Sequence, residues 1–384
     1  MSDTQKHTKP NVPNLRFPGF IDTWESKPLS VALVETKARN QTNKYLKEDV
    51  LSVSWEVGIV NQIQLLGRSF AGADLSNYKI VHNGDIVYTK SPLSIFPFGI
   101  VKRASNIEGI VSTLYAVYRV IDGFDGQFIE NYFAYSPRAN AFLKPIVRIG
   151  AKHTMQIGND EFISQSIRFP KLPEQKKISE FIELINQRLA LQNKVIEKYE
   201  SLIKALRRHI FSTIESEKEV TIADVLSYEQ PTKYIVSDTE YSDNKDLTPV
   251  LTANKAFVLG YTEETIGIYD KGPCIILDDF TLDSKIVDFP FKVKSSAIKI
   301  LSAKTSVHLR YIYEYLKYLK LNTEEHKRHY ISEIEPMTIE LPDEDAIQSI
   351  AYLFDRMDQR RQGLKRDLQL LKYQKDYLLR TLFI

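Results

Sequence analysis

A single cysteine, Cys274, stands among 384 residues. It excludes an intramolecular disulfide and suits a reducing cytosol. Its setting, Cys274-Ile275-Ile276-Leu277, marks a small buried hydrophobe rather than a nucleophile. No apolar run approaches bilayer length, and the polar start, Met1 to Pro13, has no signal-peptide core. A cytoplasmic protein without a membrane partner is expected. No glycine-rich loop follows a strand pattern, so neither a methyl-donor nor a nucleotide-phosphate site is indicated. The seven histidines show no metal spacing with carboxylates, so neither metal nor cofactor is expected. Asp278-Asp279 lacks a third ligand and reads as a turn or helix cap. An excess of one charge is missing too: 51 Lys and Arg face 49 Asp and Glu. Any basic surface must therefore be local.

What the chain does have is a long heptad, twice. Ile178, Ile182, Ile185, Leu189, Gln192, Ile196, Tyr199, Ile203, Leu206 and Ile210 recur at spacings of four and three. Ile350, Phe354, Met357, Arg361, Leu364, Leu368, Leu371, Lys375, Leu378 and Leu382 repeat that rhythm, each 172 positions later. A heptad sustained over 33 residues predicts a coiled-coil helix spanning roughly 50 Å. Two in one chain can pair intramolecularly at high effective concentration. If each helix leaves a domain at an opposite end, the pair must be antiparallel. Arg361 and Lys375 can snorkel from the seam. Gly363 marks either a close contact or a slight bend.

The text between the heptads is globular. Residues 1–14 are expected as a disordered leader. Residues 15–171 read as strands with turn punctuation, among them His82-Asn83-Gly84-Asp85 before Ile86-Val87-Tyr88. Asn131 to Leu143 is helix-like and Ser164 to Phe169 a last strand. The first helix is expected over 172–215. Residues 216–340 repeat the plan, with strands at Val250-Leu251-Thr252, Cys274 to Leu277, Ala297 to Leu301 and Met337 to Leu341, and a helix from His308 to Leu321. The second long helix takes 341–384. Leu172-Pro173 and Leu341-Pro342 differ by 169 positions rather than 172, which reads as one helical turn added at the second junction.

Asn11-Val12-Pro13-Asn14-Leu15-Arg16-Phe17-Pro18-Gly19-Phe20, Leu172-Pro173-Glu174-Gln175-Lys176-Lys177-Ile178 and Leu378-Leu379-Arg380-Thr381-Leu382-Phe383 carry a family resemblance. So do Tyr228-Glu229-Gln230-Pro231-Thr232-Lys233-Tyr234 and Ile276-Leu277-Asp278-Asp279-Phe280-Thr281. The chain resembles the specificity subunit of type I restriction–modification enzymes over nearly its whole length. The resemblance implies an α+β fold: two similar α/β target recognition domains, separated by two long helices forming an antiparallel intramolecular coiled coil. It further implies that each domain reads one half of a split double-stranded DNA target. The helices would set the gap and dock methyltransferase subunits, expected as two. Restriction and translocation subunits would complete the complex, and this chain would have no active site of its own.

A DNA reader needs cations for phosphates and planar hydrogen-bonding groups for base edges. Two basic loops hold the same place in the two halves. The first carries Arg148, Lys152, His153 and Thr154; the second carries His326, Lys327, Arg328, His329 and Tyr330. Further candidates are Lys90, Arg103, Lys233, Asn254 and Lys255, with Lys102, Lys292 and Lys294 beside them. Asn254 can pair with adenine and Arg103 with guanine. The expected helix seam is Ile182, Ile185, Leu189, Ile196, Tyr199, Ile203, Leu206, Phe354, Met357, Leu364, Leu368, Leu371 and Leu378. Two other classes stay open: a coiled-coil adaptor binding protein partners, and a DNA-modifying enzyme with an unrecognised site.

Overall fold

A computed structural model describes residues 11–149, 155–252, 257–304, 308–319, 321 and 329–384. The chain divides into two compact units, Met1–Gln192 with Asp367–Ile384, and Asn193–Arg366. The boundary runs through both long helices, so each unit holds one strand-rich body and part of each helix.

In the first unit, β1 (Glu25–Pro28), β2 (Leu33–Glu35), β3 (Leu51–Ser54), β4 (Gly58–Asn61) and α1 (Gln62–Leu66) come first. Strands β5 (Lys79–Val81), β6 (Ile86–Tyr88), β7 (Val101–Arg103), β8 (Gly109–Val111) and β9 (Ala116–Val120) follow. Helices α2 (Gly126–Phe133) and α3 (Ser136–Leu143), the hairpin β10 (Arg148–Ile149) and β11 (Met155–Gln156), α4 (Asn159–Ser164) and β12 (Ser166–Phe169) lead to the long α5 (Leu172–Thr213). The central sheet has the order β2-β9-β6-β7, all antiparallel. Period-two alternation splits its side chains. Ile86, Tyr88, Ala116 and Tyr118 face the core shared with α2 and α5, while Val87 and Val117 face a second core with Leu51 and Val111. Burial on both faces explains the unbroken apolar run at Ile86-Val87-Tyr88.

The second unit repeats this with β13 (Lys218–Thr221), α6 (Ile222–Val225), β14 (Leu226–Glu229), β15 (Thr248–Leu251) and β16 (Val258–Thr262). Next come β17 (Cys274–Asp278), β18 (Ser284–Val287), β19 (Lys292–Val293) and β20 (Ile298–Ala303). Helix α7 (Leu309–Leu319), β21 (Thr338–Leu341) and α8 (Glu344–Thr381) close it. Its sheet order, β14-β20-β17-β18, is the first sheet's order with each strand replaced by its counterpart. Ile275 and Leu277 face the core with α7, and Cys274 and Ile276 face the other side. In both units the first strand pairs antiparallel with the last, β1 with β12 and β13 with β21.

These closing strands correct the junction expected from sequence. β12 and β21 are offset by 172, as are the first residues of α5 and α8. The counterpart of Leu341-Pro342 is therefore Phe169-Pro170, and no turn was inserted. Leu172-Pro173 lies inside the first turn of α5, where proline loses no hydrogen bond. The first turn of α8 is instead capped by Asp343, whose Oδ1 accepts from Ala346 N at 2.8 Å.

The heptad seam is buried or half-buried at every position named for it. In the first unit Ile178, Ile182 and Ile185 from the start of α5 share a core with Leu378, Leu379 and Leu382 from the end of α8. In the second, Glu200 pairs with Lys365 at 2.7 Å, and Phe211 meets Phe354 at 6.4 Å. As α5 numbers rise, α8 numbers fall, so the pairing is antiparallel. A Cβ added at Gly363 meets nothing within 4 Å, so this glycine marks no close contact. Arg361 bonds Asp358, and burial lowers the pKa of Lys375.

Part of the expected leader is ordered. Pro13 is buried, Asn11 O accepts from Trp24 N at 2.8 Å, and Leu15 N donates to Thr381 O at 3.0 Å. Arg16 grips Glu174 with two hydrogen bonds of 2.7 and 2.8 Å. Gln175 donates to Pro170 O at 2.9 Å and accepts from Asp125 N at 3.0 Å. The Glu-Gln of the junction motif is thus two buried polar groups, each hydrogen-bonded.

Candidate nucleic-acid interface

The first basic loop begins on β10 and returns on β11, with Arg148 opposite Gln156. Lys152, His153 and Thr154 lie outside the described residues. Arg148 is 79% exposed and pairs with Glu161 at 2.9 Å. Glu161 also accepts from Gly158 N at 2.8 Å, tying the hairpin to the first turn of α4. Arg148 and Lys90 line one cleft of about 440 Å³ together with Thr113, Leu114, Ile157 and Glu161. Lys90 is anchored rather than free: its Nζ donates to Ile157 O and Asn159 Oδ1, both at 2.7 Å. Burial lowers its pKa, and Glu35 and Glu161 partly offset that. Gly99, at φ +90°, lets the chain pass close to Thr89 O, where a Cβ would not fit.

Arg103 is not part of this cleft. It sits half-buried on β7, beside Gly126, with Nη1 donating to Ser105 Oγ at 3.3 Å. Its neighbour Lys102 is a core residue, over the Trp55 ring at 4.4 Å and 3.4 Å from Glu130.

In the second unit, His326, Lys327 and Arg328 lie outside the described residues, as do Asn254 and Lys255. The end of that loop corrects the sequence expectation. His329 and Tyr330 are buried, not offered to a ligand. Their backbone N–H groups donate to Asp279 Oδ1 at 3.1 and 2.8 Å, and Lys299 pairs with the same carboxylate at 3.2 Å. Tyr330 packs on Tyr228 at 5.5 Å. The apolar ring finds a core there, and periodicity cannot reveal that for a residue in an irregular loop. Asp278 builds the expected turn by accepting from Phe280 N and Thr281 N. Lys233 is exposed but paired with Glu229 at 2.8 Å. Burial alone would raise Glu229, yet hydrogen bonds from Lys233, Lys271 and Tyr234 bring its pKa down to about 2. Lys292 is buried and pairs with Glu264 at 2.9 Å.

Two positions that brace the long helix escaped the sequence reading. Arg138 on α3 donates to Leu379 O at 2.8 Å, and Arg310 on α7 donates to Phe354 O at 3.1 Å. Both hold a main-chain carbonyl of α8, and they are 172 residues apart. Applying the heptad offset to every arginine would have paired them. Among the described residues no group of three or more metal-ligating side chains occurs, and no helix is long and apolar enough to cross a membrane.

No family model matches the chain. Over 169 residues it is 41% identical to the type I restriction enzyme EcoR124I/EcoR124II specificity subunit of Escherichia coli. That match covers 41% of this chain and 42% of the relative, so it spans less than half of either. The type I restriction–modification S subunit of M. genitalium has the same fold, with a TM-score of 0.60 at 14% identity over 97% of this chain and 99% of that one. A chain from a structure of type I restriction–modification complex assembly and conformational transition gives 0.55 at 14% identity, covering 95% and 98%. The family resemblance read from the sequence is the family from which these proteins come.

Proposed function

We propose that this chain is the DNA-specificity subunit of a type I restriction–modification system. In this role it is non-catalytic and cytoplasmic. Residues 15–171 and 216–340 each read one half of a split target. Residues 172–215 and 341–384 set the gap and dock two methyltransferase subunits, to which restriction and translocation subunits add. The observation that carries this is one antiparallel sheet order built twice, with the closing strand and the long helix of each copy starting at a constant offset of 172. The 41% identity to a specificity subunit supports it.

The cations expected at phosphates are Arg148 with Lys152 and His153, and Lys327 with Arg328. Apolar residues exposed on the helices, Leu184, Leu191, Val195 and Leu202 on α5 and Leu370, Tyr373 and Tyr377 on α8, suit a protein partner.

Methylome sequencing tests this. A host expressing the chain with its methyltransferase subunit should acquire methylation at a bipartite sequence with one fixed gap. Removing one heptad from each helix should shorten that gap or abolish assembly. An unaltered gap would refute the spacer role. A protein-only adaptor would show no steep loss of DNA binding with salt, whereas each phosphate contact contributes about 0.9 to the logarithmic slope.

A further inference from the structure

Four lysines are buried among the described residues: Lys79, Lys102, Lys292 and Lys299. Three have partners. Lys102 faces Glu130, Lys292 pairs with Glu264 and Ile266 O, and Lys299 pairs with Asp279 and the Tyr228 hydroxyl. Lys79 is 5% exposed, its ammonium has no hydrogen bond or ion pair to any described residue, and that nitrogen is not among the fully buried unpaired polar atoms, so its tip reaches water. A lysine with so buried a stem normally sets its ammonium against a partner.

Lys79 faces Val111 on one side, and its neighbour on the other side deepens the anomaly. Arg39 bridges Lys79 in antiparallel register. The flanking bonds are Asn40 N to Tyr78 O at 3.0 Å and Ile80 N to Ala38 O at 3.2 Å. Arg39 and Lys79 are therefore a non-hydrogen-bonded pair, the arrangement that brings opposite side chains closest. Like charges placed so are destabilising. The Arg39 guanidinium has one hydrogen-bond partner among the described residues, Asn77 O at 3.0 Å, so most of its donors are unused. Lys90 adds a third positive charge to the neighbourhood, against the single carboxylate of Glu35. That carboxylate is already engaged by Asn159. Burial is the main cause of a lowered Lys79 pKa, with Arg39 next.

An anion at this tip would pair the ammonium and relieve its like-charge contact with Arg39. We infer that Arg39 and Lys79 form a phosphate-binding subsite for the DNA backbone in the first unit, a site that rests on the DNA-specificity role proposed above. Lys79 supplies a point charge and Arg39 a planar fork of donors. Such a contact carries no base information, so it fixes register rather than sequence.

The test compares the full chain, with its methyltransferase subunit, as wild type, Lys79→Met and Arg39→Gln. Duplex binding is followed by fluorescence anisotropy from low to high salt. Each variant should lose about 0.9 from the salt slope, or about eightfold in affinity at 0.1 M salt. The loss should be equal on target and unrelated duplexes. Lys79→Met should keep or raise Tm, because a like-charge contact with Arg39 is removed. Inorganic phosphate should compete no better than chloride at equal ionic strength. An unchanged slope in both variants overturns the subsite while leaving the DNA-specificity role intact. A lowered Tm with an unchanged slope makes Lys79 structural and likewise overturns it. Preferential competition by phosphate reassigns the site to the free ion. Failure of the wild-type complex to bind any duplex overturns both the subsite and the role.

Discussion

Replacing Glu314 by glutamine should loosen α7 and the first turns of α8 in the second unit. The Glu314 side chain is 2% exposed. Its Oε2 accepts from Arg207 of α5 at 2.6 and 2.8 Å, and Oε1 lies 3.1 Å from Arg310. Arg310 in turn reaches Asp355 at 3.5 Å, Asp358 at 3.7 Å and Phe354 O at 3.1 Å. The substitution keeps volume and removes charge. Breaking a buried pair costs about 3–5 kcal/mol. Two features favour the low end of that range. Arg310 keeps its α8 partners, and Arg207, 17% exposed, regains some water. About 3 kcal/mol is expected, equivalent to roughly 150-fold faster amide exchange at about tenfold per 1.4 kcal/mol. Hydrogen exchange is the right assay because both tryptophans, Trp24 and Trp55, lie in the first unit and fluorescence would not see the change. A double-mutant cycle with Arg207→Met should give a coupling above about 1 kcal/mol. Exchange in α7 within about threefold of wild type would refute the bridging role of Glu314.

Other substitutions probe separate features. Gly363→Ala should stabilise α8 by about 1 kcal/mol, since nothing opposes a Cβ there and alanine is the better helix former; a lower Tm would contradict it. Glu229 should titrate near 2 instead of its ordinary 4.5. A folded pKa below the unfolded one means its stabilising contribution is present above about 4.5 and fades as pH falls towards about 2. Carboxyl NMR should show this, and Lys271→Ala should move the midpoint up; an ordinary midpoint in the wild type would exclude the three-donor arrangement. Burial pushes the Cys274 thiol up to about 12, so native protein at pH 8 should resist alkylation until it unfolds. Rapid labelling of folded protein would mean that β17 opens readily.

The sequence alone determined the elements whose signal is local and periodic. The two heptads set which faces of α5 and α8 are buried, because side-chain direction within a helix follows from spacing alone. Apolar runs marked β6 and β17, and the offset of 172 announced two copies of one architecture. Tertiary structure decided whatever depends on a partner distant in sequence. Proline pairs chosen by their letters misplaced the second junction, whereas strand pairing aligned Pro170 with Pro342. Tyr330 looked like a ligand contact until Tyr228 and Asp279 closed around it. Lys79 looked ordinary until the fold laid Arg39 beside it. A side chain's charge is written in the chain, but whether it is compensated depends on neighbours that only chain folding supplies.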